Sequence, residues 1–193
     1  IVTRAPGYAA LVPPDGLDTA RFEELVGRAQ REQPAQAATT LREALDLWRG
    51  PALADVTFES SARGDVARLD DQRLTALAQR VDHDLALGRH DEVVAELHAL
   101  VREHPFRERF RAQLMLALYR CGRQAEALET FRDARQRFVE ELGIEPGPEL
   151  QGLERAILAH DPVLAFPATP AADGEPALDP RSTNLPRPAS SFV

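Results

Sequence analysis

The sequence predicts an all-α fold: a tetratricopeptide-like right-handed stack of about seven helices, with a residual β-hairpin at the amino terminus. Three observations carry this reading. The phrase "LGRHDEVVAEL" (87–97) returns as "CGRQAEALETF" (121–131), 34 residues later. Between residues 18 and 160, apolar side chains recur at the three-and-four spacing of a helix face. Gly and Pro fall between these stripes, where helices start and stop.

Taken in order, residues 1–12, "IVTRAPGYAALV", carry β-branched and aromatic residues around Pro6-Gly7, which suits a turn between two strands. Two strands alone are marginal, so the hairpin is expected to complete a domain lying upstream. "DTARFEELVGRAQ" (18–30) puts Phe22, Leu25, Val26 and Ala29 on one stripe, and "PAQAATTLREALDLW" (34–48) does the same with Ala37, Leu41, Ala44, Leu45 and Trp48. Gly50 and Pro51 then interrupt the pattern. A long helix is expected from about residue 60 to 87, with Val66, Leu69, Leu77, Val81 and Leu85 inward.

The repeat follows. A 34-residue period is the length of a tetratricopeptide unit, two antiparallel helices stacked on the next pair. Gly88 aligns with Gly122, Val93 with Ala127, Leu97 with Phe131 and Leu100 with Ala134. The glycines stand where one helix ends and another begins. Ala127 is small where two helices approach, and Phe131 lies one turn further on the same face. Pro105 closes a helix and suits the first turn of its successor. Helix pairs are therefore expected over 75–104 and 109–139, side by side. In "PGPELQGLERAILAH", Pro148 suits the first helical turn, Glu149 favours its positive end, and Leu150, Leu153, Ile157 and Leu158 form the stripe. The expected organisation is a hairpin at 1–12, a helical domain at 17–162, and a Pro/Ala-rich linker at 163–193 without regular structure.

Composition narrows function. With 193 residues, 44% hydrophobic content and a net charge of −8, the chain suits one soluble domain with no global attraction to nucleic acid. No apolar run reaches the roughly 20 residues of a membrane helix. The single cysteine, Cys121, excludes an internal disulfide and suits a reducing, cytoplasmic setting. All 23 basic side chains are arginine. The chain starts at Ile1 without an initiator Met, and both ends read as cut from something longer. His83, His90, His98, His104 and His160 lack the tight spacing of a zinc site. No phosphate loop or nucleophile elbow is present. No catalytic residue, metal site or cofactor is expected.

At this point the residues resemble a family. "IVTRAPGYAALV" is similar to the wing hairpin that closes an OmpR-type winged helix, although Ala10 stands where the family usually has Leu. "LWRGPAL", "GRQAEAL" and "LGIEPGPEL", at their separations, resemble the bacterial transcriptional activator domain of SARP-type (antibiotic regulatory protein) regulators. "RSTNLPRPASSFV" (181–193) resembles the lead-in to the ATPase domain of larger members. The resemblance implies a transcriptional activator that binds promoter DNA through a winged helix. Its helical domain would serve dimerisation, packing on the winged helix and contact with RNA polymerase, with no membrane partner. Wings of the family touch the DNA backbone, which implies that role for Arg4.

Residues 102–137 hold nine arginines against five acids in an otherwise acidic chain. Arg107, Arg111, Arg120, Arg123, Arg132 and Arg135 are the candidate basic patch, meeting an acidic polymerase surface or DNA phosphates. The plainer reading is a solvated face laced by pairs such as Glu129 with Arg132. A free-standing tetratricopeptide scaffold that binds a peptide is the rival function, and it has no use for the hairpin.

Overall fold

A computed structural model describes residues 2–4, 7–9, 17–52 and 63–166. Strand β1 (Val2–Arg4) pairs antiparallel with β2 (Gly7–Ala9), in the register Val2 to Ala9, Thr3 to Tyr8 and Arg4 to Gly7. Seven α-helices follow among the described residues: α1 (Asp18–Ala29), α2 (Pro34–Asp46), α3 (Arg63–Ala86), α4 (His90–Glu103), α5 (Glu108–Arg120), α6 (Gln124–Arg137) and α7 (Pro148–Leu158). Each helix packs on its described neighbour in sequence, and α5 also touches α3 and α7. This is the side-by-side stacking that the 34-residue period predicts. Helix breaks fall at Gly88, Pro105 and Gly122, as expected. Of the linker expected from 163, only its first four residues are described; Pro162–Leu164 form a single 3-10 turn. The expected turn at Pro6 and the interruption beyond Ala52 lie outside the described residues.

The two repeat glycines end their helices in the same way. Gly88 has φ +80° and Gly122 φ +75°, a left-handed conformation that costs any L residue roughly 1–2 kcal/mol. That conformation turns two backbone N–H groups back on the helix. Arg89 donates to the Asp84 carbonyl at 3.0 Å and Gly88 to Leu85 at 3.3 Å; Arg123 donates to Leu118 at 2.8 Å and Gly122 to Tyr119 at 2.9 Å. Carbonyls that would face water unpaired are thus satisfied. The sites differ in one respect. A Cβ on Gly88 would lie 3.0 Å from the Phe166 ring, whereas one on Gly122 meets nothing within 4 Å. Gly122→Ala is therefore expected to cost roughly 1–2 kcal/mol of backbone strain alone. Gly88→Ala is expected to cost more and to displace Phe166. Urea unfolding midpoints of the two variants check the difference.

Helix α6 does not stop at Arg137. It widens into a π-helical turn, Phe138–Leu142, before Gly143 at φ +70°. Phe138 stays buried there and meets the Phe106 ring edge-on at 5.6 Å. Nothing in the helix-forming sequence of 124–142 announces this change of pitch.

Two apolar clusters form the core among the described residues. The smaller joins α1 and α2 through Phe22, Leu25, Leu41 and Ala44, and reaches α3 at Ala76. Trp48 covers its edge, 5.4 Å from Phe22, with the Arg73 guanidinium 5.2 Å from the indole centre. The larger runs from the second half of α3 to α7 through Val81, Leu97, Phe110, Leu114, Leu118, Phe131, Leu150 and Ile157. Ala127 and Ala134 are fully buried, so α6 lies close against its neighbours. Full burial of one such Leu or Phe is worth roughly 1.5–3 kcal/mol, against at most about 1 for an exposed ion pair. Packing, not the many surface arginine pairs, sets the stability.

Candidate interaction site

The six arginines of the candidate patch have different surroundings. Arg107 is tied to Asp71 of α3. Arg123 makes a two-pronged contact with Glu126 at 2.6 and 2.7 Å, and Arg135 another with Glu145 at 2.6 and 2.8 Å. These forks raise both guanidinium pKa values and lower those of both carboxylates, chiefly through hydrogen bonding. Arg132 is exposed and has no ion pair among the described residues. Arg111 and Arg120 point inward. Arg111 is 3% exposed and donates through Nε to the Pro105 carbonyl at 2.9 Å. Arg120 donates to the carbonyls of Leu164 at 2.9 Å and Leu85 at 3.3 Å. For Arg4 the backbone strand is described and the side chain is not.

Among the described residues the most heavily paired polar centre surrounds Asp84, a residue that the sequence does not single out. Its carboxylate is 1% exposed and receives Arg42 of α2 at 2.5 Å, Arg80 of α3 at 2.9 Å, and Arg89 of the following turn at 3.0 Å. Arg80, itself 8% exposed, also reaches Glu96 of α4 at 2.5 Å. A carboxylate buried this deeply is tolerable only when paired and hydrogen-bonded. The cluster joins α2, α3 and α4 where the two apolar clusters adjoin. The i, i+4 spacing of Arg80 and Asp84 was a visible signal; Arg42, 42 residues away, was not.

Beyond α7 the chain folds back over the α3–α4 turn. The Phe166 ring stands edge-on to His90 at 4.9 Å, with the Arg120 guanidinium 5.6 Å from its centre. Both His90 ring nitrogens are buried without a hydrogen-bond partner. Burial lowers the His90 pKa below its ordinary 6.5; Arg120 adds to this and Asp91 opposes it. His90 therefore stays neutral in the folded chain down to lower pH than in the unfolded one. Its contribution to stability is complete above the unfolded value of 6.5 and is lost as pH falls toward the folded pKa, by up to about 1.4 kcal/mol per pH unit. His90→Gln is expected to flatten that part of the melting temperature against pH, which calorimetry between pH 5 and 7.5 checks.

Cys121 sits at the end of α5, partly buried, and burial raises its thiol pKa, so it stays a thiol at neutral pH. Glu108, from the start of α5, accepts the Gly147 N–H on both carboxylate oxygens at 2.9 and 3.0 Å. It thereby caps α7 from a distant helix. Among the described residues no three His, Cys, Asp or Glu side chains converge as metal ligands. No described helix is long and apolar enough to cross a membrane. Among the described residues the surface presents paired charge, shallow clefts and exposed apolar side chains.

The family model of the bacterial transcriptional activator domain matches residues 17–158. The regulatory protein AfsR of Streptomyces coelicolor is 43% identical over 198 residues, covering all of this chain and 20% of AfsR. The regulatory protein DnrI of Streptomyces peucetius is 43% identical over 172 residues, covering 86% of this chain and 63% of DnrI. The chain thus spans between a fifth and about two thirds of the length of these relatives, which are named as regulators, not enzymes. A solved structure of Mycobacterium tuberculosis EmbR, in complex with a low-affinity phosphopeptide, superposes with a TM-score of 0.76 at 34% identity, over 83% of this chain and 43% of EmbR. The shared motifs, the helical stack and these matches lead to one assignment: the chain belongs to the bacterial transcriptional activator domain family of SARP-type regulators.

Proposed function

We propose that this chain is the helical regulatory domain of a cytoplasmic DNA-binding transcriptional activator. It packs on a winged helix, pairs protomers and contacts RNA polymerase. The observation that carries this reading is the family match over 17–158, combined with an AfsR alignment that includes the residues on either side. The strands β1 and β2 fit the wing of a winged-helix domain in residues 1–12, and the Pro-rich run from 163 fits a linker toward a further domain. On this reading the wing's Arg4 touches the DNA backbone. The exposed Arg132, with Arg123 and Arg135, meets an acidic polymerase surface. Phe106, Val139, Leu142 and Ile144, each 39–53% exposed around the end of α6, supply apolar area for self-association. Sedimentation of the purified chain tests the pairing: Ile144→Lys is expected to dissociate a wild-type dimer. A wild-type monomer at high concentration would remove dimerisation from the role. Polymerase capture by wild type and by Arg132→Glu tests the other contact, and equal retention would count against the α6 face.

A scaffold that binds a partner peptide is the second reading. It rests on a cleft of about 520 Å³ between α3, α5 and α7, floored by Leu85, Ala112, Leu116 and Leu153.

A further inference from the structure

No hydrogen bond accounts for the side chain that opens α4. His90 is 8% exposed, and neither of its ring nitrogens has a partner among the described residues. A neutral imidazole carries one donor and one acceptor, and buried groups of this kind are normally satisfied. The repeat supplies a comparison. Gln124 stands 34 residues later, at the same place in the next helix pair, and donates to the Ile157 carbonyl at 3.2 Å. His90 instead meets the Phe166 ring, edge-on at 4.9 Å, which has no lone pair to offer.

The returning segment is held at a few points. Arg120 donates through Nε to the Leu164 carbonyl at 2.9 Å, and its guanidinium stands 5.6 Å from the centre of the Phe166 ring. Leu164 packs against the larger apolar cluster. Phe166 presses on Gly88, where a Cβ would lie 3.0 Å from Cε1 and 3.1 Å from Cζ of the ring. A segment with so few contacts opens more easily than the stack beneath it. A proton on His90 would leave two buried N–H donors beside the Arg120 cation. The other charged groups on the elements packed here give little relief. Arg89 is paired with Asp84 at 3.0 Å, and Asp161 accepts from the Val163 N–H at 2.9 Å. Asp91 favours the charged ring, but burial and Arg120 outweigh it. Burial keeps the Cys121 thiol protonated and neutral. Departure of the Phe166 ring would let water reach the imidazolium.

We infer that residues 162–166 are a clasp, seated through Phe166 on the α3–α4 turn, that opens when His90 takes up a proton. Closed, the chain beyond Phe166 departs from the turn at Gly88; open, it departs from the end of α7. The open state binds the proton more tightly than the closed one. The opening constant therefore rises by up to about tenfold for each pH unit below the ordinary value of 6.5, and levels off below the closed-state pKa. Use of this movement to orient a following domain rests on the linker reading above. The clasp itself belongs to the described residues and is tested in this chain alone.

The test is proton–carbon NMR of the purified chain between pH 7.5 and 4.5. The ring current of Phe166 displaces the Gly88 α-proton signal, and the methyl signals of the buried Leu97 and Leu118 report the stack. The Gly88 displacement is expected to fall away as the His90 ring titrates, at a pKa below 6.5, while the methyl signals hold. Phe166→Ala is expected to leave the Gly88 proton at its released position at every pH and to bring the His90 pKa up toward 6.5. His90→Gln, the residue of the equivalent repeat site, has no proton to gain and is expected to keep the ring seated across the whole range. A Gly88 proton that keeps its displacement while His90 titrates would overturn the inference. So would a His90 pKa above 6.5, since the ring would then stabilise the cation. Two further results would also sink it: opening of His90→Gln with the wild-type pH profile, or a Gly88 change that comes only with loss of the Leu97 and Leu118 signals.

Discussion

Asp84→Asn is expected to destabilise the chain by about 3–5 kcal/mol, the cost of removing one partner from a buried ion pair. The amide keeps the shape of the carboxylate and loses its charge. Arg80, 8% exposed, then keeps only Glu96 as a counter-ion, and Arg42 and Arg89 lose theirs. Arg42→Ala removes a half-exposed partner and is expected to cost much less. The loss should also be uneven in space. Helices α1 and α2 have their own apolar cluster and reach the rest through α3, so without the Arg42–Asp84 contact they should open first. Denaturant unfolding gives the free energy, and amide exchange in α1 and α2 gives the location. A variant within about 1 kcal/mol of wild type would mean that the Asp84 cluster merely breaks even with water.

Phe131→Ala carries the second large effect. Phe131 is 4% exposed at the repeat position that Leu97 occupies in the preceding pair, and it touches the cluster spanning α3 to α7. Truncation leaves a cavity that fully helical neighbours can close only in part, and is expected to cost about 3–5 kcal/mol. Leu97→Ala, at the equivalent site, should cost about 2–5 kcal/mol. The two residues belong to one cluster, so the double variant should not be additive. Midpoint shifts in urea at constant slope check all three values.

Much of the fold was legible because its signals are local. The 34-residue register, Gly88 and Gly122 at the ends of helices, and Pro148 at the start of the last helix each act within a few residues. What escaped was non-local or bistable. Asp84 reads as one more polar residue in "VDHDLALGR", because the arginines that bury it come from three separate elements. The basic stretch reads as a patch, since sequence counts charge without direction. Folding sends Arg111 and Arg120 to backbone carbonyls and locks Arg107, Arg123 and Arg135 onto acids. The α6 widening was unreadable because α- and π-turns use the same residues and differ by one step in hydrogen bonding. Phe166 sits in a proline-rich run that composition assigns to linker, yet it packs on His90.

On the proposed function, this chain works through protein contacts and leaves the reading of DNA to a winged helix. Sequence is read at base edges in the major groove, and phosphate contacts only position a protein. A net charge of −8 also opposes non-specific association. The most direct measurement is a gel-shift series with SARP-type promoter repeats and scrambled controls, at low and physiological salt. It compares this chain with the same chain fused behind the recognition part of an OmpR-type winged helix. The fusion is expected to shift the repeats selectively, and the chain alone to show at most weak, salt-sensitive binding to both DNAs. Sequence-specific, salt-resistant binding by the chain alone would contradict the account.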